Sequence, residues 1–207
     1  MAYYLLVYVS RGFSSMPGMT SEISKEIKDG HLNRYLVKPI DYFWYQVSYR
    51  MAHKVVFWGV ALVAFPPVFY LMRGFFTHAP TAAEWAASTV LLVLGFAIGL
   101  LFSFLIGALA FWFLEISTFL FIIMGIELFA SGHLIPLNFL PDSVQQAVLL
   151  LPFAYEAYWP CAVLLGKVPS GELGPVLGMG FLWVAVLYGA CRLLWSAGLR
   201  RYSAVGG

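Results

Sequence analysis

Charged residues are scarce in this chain: Asp, Glu, Lys and Arg make up 11% of it, whereas hydrophobic residues make up 61%. A water-soluble globule of this composition would leave large apolar surfaces outside its core, so that class is excluded. The net charge of +2 is small and gives no indication of a nucleic-acid partner. We therefore expect an all-α, polytopic helical protein whose surroundings are the lipid bilayer.

Cysteine and catalytic motifs are also lacking. Cys161 and Cys191 lie in different apolar segments without metal-ligand or redox spacing, which indicates ordinary buried thiols. The phosphate-loop motif G-x-x-x-x-G-K-[ST] is absent, as are H-E-x-x-H, G-x-S-x-G and C-x-x-C. The sequence thus predicts no catalytic residues, no metal site and no cofactor bound by this chain.

Long apolar runs predict about five transmembrane helices in one transmembrane domain over 1–207. A bilayer core of ~30 Å needs about 20 helical residues. The run from Ser88 to Ala130 would be roughly 64 Å long as a single helix, so we expect two spans that fold back near Phe111 to Glu115. The predicted spans cover residues 2–16, 55–72, 88–110, 111–130 and 173–194.

The basic residues predict the orientation. The segment from Thr20 to Lys54 is the only long polar one and carries half of the twelve Lys and Arg residues. Because Lys and Arg collect on the cytoplasmic side, we expect this segment and the carboxyl terminus to be cytoplasmic, in a multi-pass protein of the cytoplasmic membrane. Five spans would then place Met1 outside, from which we infer that an additional amino-terminal span is missing from this chain.

A short amphipathic helix is predicted over 21–30 in the cytoplasmic segment. Thr20 or Ser21 would cap it, and Gly30 would end it in the left-handed conformation. A helix of about two turns does not persist alone in water, so it needs a surface to lie on.

The apolar residues of that helix, Ile23 and Ile27, are four positions apart and form one stripe. A stripe of this kind suits a protein partner. An amphipathic segment resting on lipid headgroups is the alternative.

The segment 134–166 is hydrophobic but is interrupted by prolines at 136, 141, 152 and 160. Its pieces are too short to span a bilayer, which favours an extracytoplasmic re-entrant hairpin. A plain extracellular loop is the alternative.

The third predicted span carries a ladder of small residues, Gly95, Gly99, Ser103 and Gly107, four positions apart each time. Small residues at this spacing allow another helix to approach closely. We therefore predict a helix-packing face here, within one subunit or between two.

Three carboxylates, Glu115, Glu127 and Glu156, lie in or near membrane depth, where charge is costly and often functional. We expect Glu115 at the cytoplasmic turn and the other two near the outer interface. Two alternative functions depend on them: an ion-coupled secondary carrier or channel that uses Glu115 or Glu127, and a membrane enzyme with a metal held by His133, Glu127 and Glu156.

Four sequence runs resemble one family. The run Glu22–Pro39 is similar to the cytoplasmic loop of ABC-2-type transporter permeases, with the pattern I-x-x-E-I-x-x-G-x-L-x-x-x-L-x-x-P. The outer segment of that family resembles Ser131–Pro141 and Leu151–Tyr155, and its carboxyl terminus resembles Gly198–Ser203. The family usually has six spans with both ends cytoplasmic, and this chain lacks the first.

The resemblance implies an exporter subunit rather than an enzyme. Such permeases pair as homo- or heterodimers, and a separate cytoplasmic ATPase that binds ATP and Mg drives alternating access, moving an unknown substrate across the membrane. In this chain the helix 21–30 would be the coupling helix that docks on the ATPase, and the re-entrant hairpin would form part of the outer gate. The residues implied are Glu22, Ile23, Glu26, Ile27 and Gly30 for docking, with the isoleucines as apolar contacts, and Pro136, Pro141 and Pro152 for the gate.

Overall fold

The computed structural model describes residues 2–16, 18–113 and 117–202, and within those ranges every regular element is a helix. The expected all-α, polytopic helical fold is confirmed. The helices are α1 (Ala2–Ser14), α2 (Met19–Lys28), α3 (Asn33–Leu36), α4 (Tyr42–Leu71), α5 (Ala82–Ala108), α6 (Ser117–Ala130), α7 (Asp142–Leu149), α8 (Tyr158–Leu164) and α9 (Leu173–Arg201).

Three of these helices, α4, α5 and α9, are long and apolar enough to cross a membrane, and α5 continues as a 3-10 turn to Phe111. The other apolar helices are shorter: α1 has 13 residues and α6 has 14. The fold-back expected near Phe111 to Glu115 falls largely outside the described residues.

Helix α4 begins at Tyr42, well before the predicted start of its span at residue 55. Asp41 caps it, because its Oδ1 accepts hydrogen bonds from the backbone N–H groups of Phe43 (2.9 Å) and Trp44 (3.3 Å). The aromatic residues that follow Asp41 therefore belong to the first turns of a 30-residue helix.

Helix α5 is the central element, since it packs against α1, α2, α8 and α9. A capping box starts it: the Thr81 hydroxyl accepts from the Glu84 N–H (3.3 Å), and Glu84 Oε2 accepts from the Thr81 N–H (2.7 Å). Cys191 of α9 lies against α5 and donates its thiol to the Leu101 carbonyl (3.1 Å). Both cysteines are free and buried, as the sequence predicted.

The segment 134–166 contains 3-10 turns at Leu137–Phe139 and Pro152–Tyr155 as well as α7 and α8. Its second half is buried in the bundle. The Tyr155 hydroxyl donates to the Val176 carbonyl of α9 (3.0 Å), and the Ser88 hydroxyl of α5 donates to the Pro160 carbonyl (3.0 Å). This half is therefore part of the protein core. Backbone outside long helices must be covered by protein wherever it is not in contact with water.

Candidate functional site

The short amphipathic helix is α2, and its start differs from the prediction. Gly18, in the left-handed conformation with φ 78°, precedes it, so neither Thr20 nor Ser21 is the cap. The Thr20 hydroxyl instead donates to the Ser103 carbonyl of α5 (3.1 Å), because α2 lies directly on that helix. Gly30 has a φ of 74°, the left-handed conformation that the sequence indicated at the end of this helix.

The isoleucine stripe of α2 faces the chain's own bundle. Ile23 is 0% exposed and Ile27 is 5% exposed. A Cβ on Gly107 would lie 2.9 Å from the Cβ of Ile23, so only a glycine lets α2 approach α5 this closely. In the single chain both side chains are therefore buried, Ile23 against α5, and their contact with an ATPase stays a prediction.

Glu26 is also directed inward. Its carboxylate accepts hydrogen bonds from Arg34 Nη2 (2.6 Å), from the Tyr35 hydroxyl (3.0 Å) and from the Tyr42 hydroxyl. Gln46 in turn donates to the Tyr42 hydroxyl (2.8 Å). Because these donors come from α3 and α4, Glu26 joins three helices, and its polar contact with an ATPase stays a prediction.

Glu22 forms an ion pair with Arg50 of α4 while about half of its side chain stays exposed. Of the two glutamates predicted for docking, Glu22 is thus the more exposed. Lys25 of α2 and Asp29, just after its end, are also exposed. Both glutamates line a cleft of about 530 Å³, together with Lys25, His31, Tyr45 and Tyr49 among others.

An exposed apolar patch, formed by Leu36, Val37 and Ile40, lies between α3 and α4. Val37 is the most exposed of the three, at 82%. Exposed large apolar side chains grouped in a short polar connection are typical of an interaction surface. Sequence reasoning missed this patch, although apolar residues around Lys38-Pro39 in an otherwise polar segment were a usable signal.

The two residues that follow Ile40 of this patch, Asp41 and Tyr42, each contact α9. Arg192 Nη1 lies 2.6 Å from Asp41 Oδ2, and the rings of Tyr42 and Trp195 stack at 4.8 Å between centroids. Burial opposes ionisation of Asp41, but the hydrogen bonds from Arg192 and from the backbone of α4 outweigh it and lower the pKa of Asp41. Asp41, the residue that follows the exposed patch, is therefore an ionised helix cap at neutral pH.

The small-residue ladder of α5 meets a different segment at each position. A Cβ on Gly95 would lie 2.5 Å from the Tyr155 carbonyl oxygen, and a Cβ on Gly99 would lie 2.5 Å from the Ser14 carbonyl oxygen. Further along, Ser103 accepts from Thr20 of α2, and Gly107 faces the same helix. One face of α5 therefore contacts, in order, the segment around residue 155, the end of α1, and α2.

Glu156 lies beside this ladder. It is 1% exposed, and its carboxyl group lies close enough to that of Glu127 for the two to interact electrostatically. A Cβ on Gly99 would lie 3.8 Å from the Glu156 Cδ, and Gly95, next to the Glu156 backbone, is near the middle of α5. Glu156 is therefore covered by protein beside the middle of α5, and its depth in the membrane stays a prediction. Glu115 lies outside the described residues.

The proposed metal ligands are not brought together as a set. His133 Nδ1 lies 2.6 Å from the Ser131 hydroxyl, which gives that ring nitrogen a protein partner. Within residues 2–16, 18–113 and 117–202, no group of three or more His, Cys, Asp or Glu side chains is placed to hold a metal ion. The metal-enzyme alternative therefore has no ligand set in this part of the chain.

The three prolines predicted for the outer gate each lie at the start of a helix or a 3-10 turn. Pro136 precedes the 3-10 turn Leu137–Phe139, Pro141 precedes α7, and Pro152 is the first residue of the turn Pro152–Tyr155. Pro136 and Pro152 are buried, whereas Pro141 is exposed. Their fixed φ suits these starts and does not by itself show a gating role.

Comparison with known families gives one match over nearly the whole chain. The model of a family described as "ABC-2 family transporter protein" matches residues 1–206. No curated protein and no solved structure matches this chain.

Proposed function

Because the chain belongs to the ABC-2 family of transporter proteins, we propose that it is the transmembrane permease subunit of an ATP-driven exporter. In this proposal the membrane-embedded chain pairs with a second permease subunit, alike or different. A separate ABC ATPase binds ATP and Mg and drives alternating access. The chain itself transports and does not hydrolyse ATP.

The observation that carries the proposal is the seating of α2 on the small-residue face of α5. Thr20 and Ile23 fix α2 to the Ser103–Gly107 end of that face, while the segment around Tyr155 contacts it at Gly95. Close-packed interfaces transmit displacement because they leave no space in which it can be absorbed. A force on α2 would therefore reach the middle of α5 and the buried half of segment 134–166.

The docking surface in this proposal differs from the isoleucine stripe. We assign the apolar contact to the exposed patch of Leu36, Val37 and Ile40, and the polar contacts to the exposed residues Glu22, Lys25 and Asp29. The buried isoleucines have the complementary role, since they join α2 to the bundle that it would move.

Co-purification tests this assignment. The permease would be expressed with ABC ATPases from the same genome, and any ATPase retained would be identified by mass spectrometry and assayed for ATP hydrolysis. We expect Val37→Asp to reduce retention about tenfold or more, since it places a charge in an apolar contact. Val144→Asp, at a 44% exposed valine of α7, is the matched control and should retain the ATPase.

Equal retention by Val37→Asp and the wild type, with both proteins folded in the membrane, would contradict the docking surface. Failure of every ABC ATPase to bind the wild-type chain would contradict the exporter proposal itself.

The proposed location is the cytoplasmic membrane, with α2, the exposed patch and the carboxyl terminus in the cytoplasm. The concentration of Lys and Arg in 20–54 and at 192–201 supports this orientation. A Val37→Cys variant tests it, because both native cysteines are buried. We expect a membrane-impermeant maleimide to label Val37→Cys only after the cells are permeabilised, and labelling of intact cells would contradict the orientation.

A second candidate function is ion-coupled transport, and the burial of Glu156, whose carboxyl group interacts electrostatically with that of Glu127, favours it. Carboxyl groups buried within a membrane protein often mark proton pathways. Proton uptake into liposomes without ATP, abolished by Glu156→Gln, would support this candidate. ATP-dependent transport that survives Glu156→Gln would support the exporter instead.

A further inference from the structure

A separate cavity of about 870 Å³ lies between α1 and α4. Much of its wall is apolar or aromatic, with Val7, Tyr8, Met16 and Phe57 among the lining residues. This volume is within the range of sites that hold small organic ligands. We call it the α1–α4 cavity.

Three cationic side chains, Arg11, Arg50 and Lys54, line this cavity, against one carboxylate, Glu22, which pairs with Arg50. Lys54 Nζ donates to the backbone carbonyls of two residues at the end of α1, at 2.7 and 2.5 Å. Those carbonyl groups are neutral, so they orient the ammonium group without cancelling its charge.

The other titratable groups near Arg11 do not remove the excess of positive charge. His53 and His133 line the cavity as neutral or cationic rings. Glu127 interacts electrostatically with Arg11, but neither Glu127 nor its neighbour Glu156 lines the cavity. The wall therefore combines an apolar surface with more cations than anions.

This combination selects one class of ligand. A small hydrophilic anion would leave the apolar wall without a partner, and a neutral lipid would cover the cations of the wall without supplying a counter-charge, which is costly. We propose that the α1–α4 cavity binds an anionic amphiphile, with a phosphate or carboxylate headgroup at Arg11 and Lys54 and a hydrocarbon chain along Tyr8 and Phe57.

Two sources supply such a molecule: a resident lipid of the bilayer, or the exported cargo. Only the assignment as cargo rests on the proposed exporter function. Binding itself is a property of this chain and is measured without the ATPase.

Binding would be measured by calorimetry on the full chain in phosphatidylcholine nanodiscs with dodecyl phosphate as the probe. Dodecylphosphocholine, which has the same chain and no net charge, and inorganic phosphate, which has no chain, are the two ligand controls. We expect saturable binding of dodecyl phosphate alone. Arg11→Gln should weaken it about tenfold through loss of a charge-assisted contact, whereas Arg11→Lys should bind more tightly than Arg11→Gln.

Lys167→Gln, at an exposed lysine that does not line the cavity, is the matched control and should bind as the wild type does. Equal binding of dodecylphosphocholine, equal competition by inorganic phosphate, or an unchanged affinity in Arg11→Gln would each overturn the proposal. Efficient disulfide crosslinking of Tyr8→Cys between two copies would overturn it as well, because a second copy would then cover the cavity.

A last experiment, on the complex with the ATPase, distinguishes a resident lipid from exported cargo. Stimulation of ATP hydrolysis by dodecyl phosphate, lost in Arg11→Gln, supports cargo. Retained binding without stimulation supports a resident lipid and contradicts the cargo assignment. If the wild-type chain binds no ATPase, the exporter function fails while the binding result stands.

Discussion

Gly95→Ala gives the sharpest test of how α5 is packed. A Cβ at this position would lie 2.5 Å from the Tyr155 carbonyl oxygen, a backbone atom that no side-chain rotation can move away. To restore an ordinary contact, the backbone around Tyr155 must move by about 0.9 Å, and overpacking of this kind costs about 1–3 kcal/mol. Alanine recovers about 1 kcal/mol, because it is a better helix former than glycine.

Gly178→Ala is the matched control, since a Cβ at Gly178 in α9 would have no atom within 4 Å. That variant gains the helix propensity without the clash, so the two variants should differ by about 1–3 kcal/mol in the free energy of unfolding. For a chain of this size the difference corresponds to roughly 2–12 °C in Tm. Tm would be measured in detergent by intrinsic tryptophan fluorescence.

Equal Tm values for Gly95→Ala and Gly178→Ala would refute the close approach of segment 152–157 to α5. A lower Tm for Gly178→Ala than for Gly95→Ala would refute the reasoning more strongly, because it would place the crowded helix face on α9.

Two further variants test the region around α2. Glu26→Ala leaves three donors on α3 and α4 without their acceptor, so its Tm should fall by several degrees relative to Asp29→Ala, an exposed control at the cap that ends the same helix; a smaller fall for Glu26→Ala would contradict its joining role. Asp41 has a lowered pKa in the folded state, so its stabilising effect is present above its unfolded pKa and is lost as the pH falls through the lower folded value. Between pH 7 and pH 3, the Tm of Asp41→Asn should therefore fall by less than the Tm of the wild type. Equal falls in Tm would exclude a pH-dependent contribution of the Asp41–Arg192 pair to stability.

The sequence predicted the fold class well, because apolar runs of spanning length admit few other structures. It also predicted the left-handed Gly30 at the end of α2. It could not predict what the isoleucine stripe contacts, because an amphipathic pattern shows that one face is covered without showing by what. Both isoleucines are buried, Ile23 against α5, and the small residue that makes room for Ile23, Gly107, lies far away in the sequence.

The start of α4 and the burial of Glu156 were missed for separate reasons. The polar and aromatic residues after Asp41 have the composition of an interfacial loop, whereas the Asp41 cap and the Trp195 stack incorporate them into a helix. A lone glutamate near prolines is typical of an interface. Its burial beside Gly95 and Gly99 depends on two segments, distant in the sequence, that meet in the folded chain.

Lys54 of α4 affects how α1 ends, because its ammonium group contacts the backbone there. A helix that ends away from bulk water must find donors for its last carbonyl oxygens, or continue until it reaches solvent. Lys54 reaches across from α4 and supplies them to Gly12 and Ser15. The 13-residue α1 can therefore end beside α4, with an ammonium group in the place that water molecules would otherwise take.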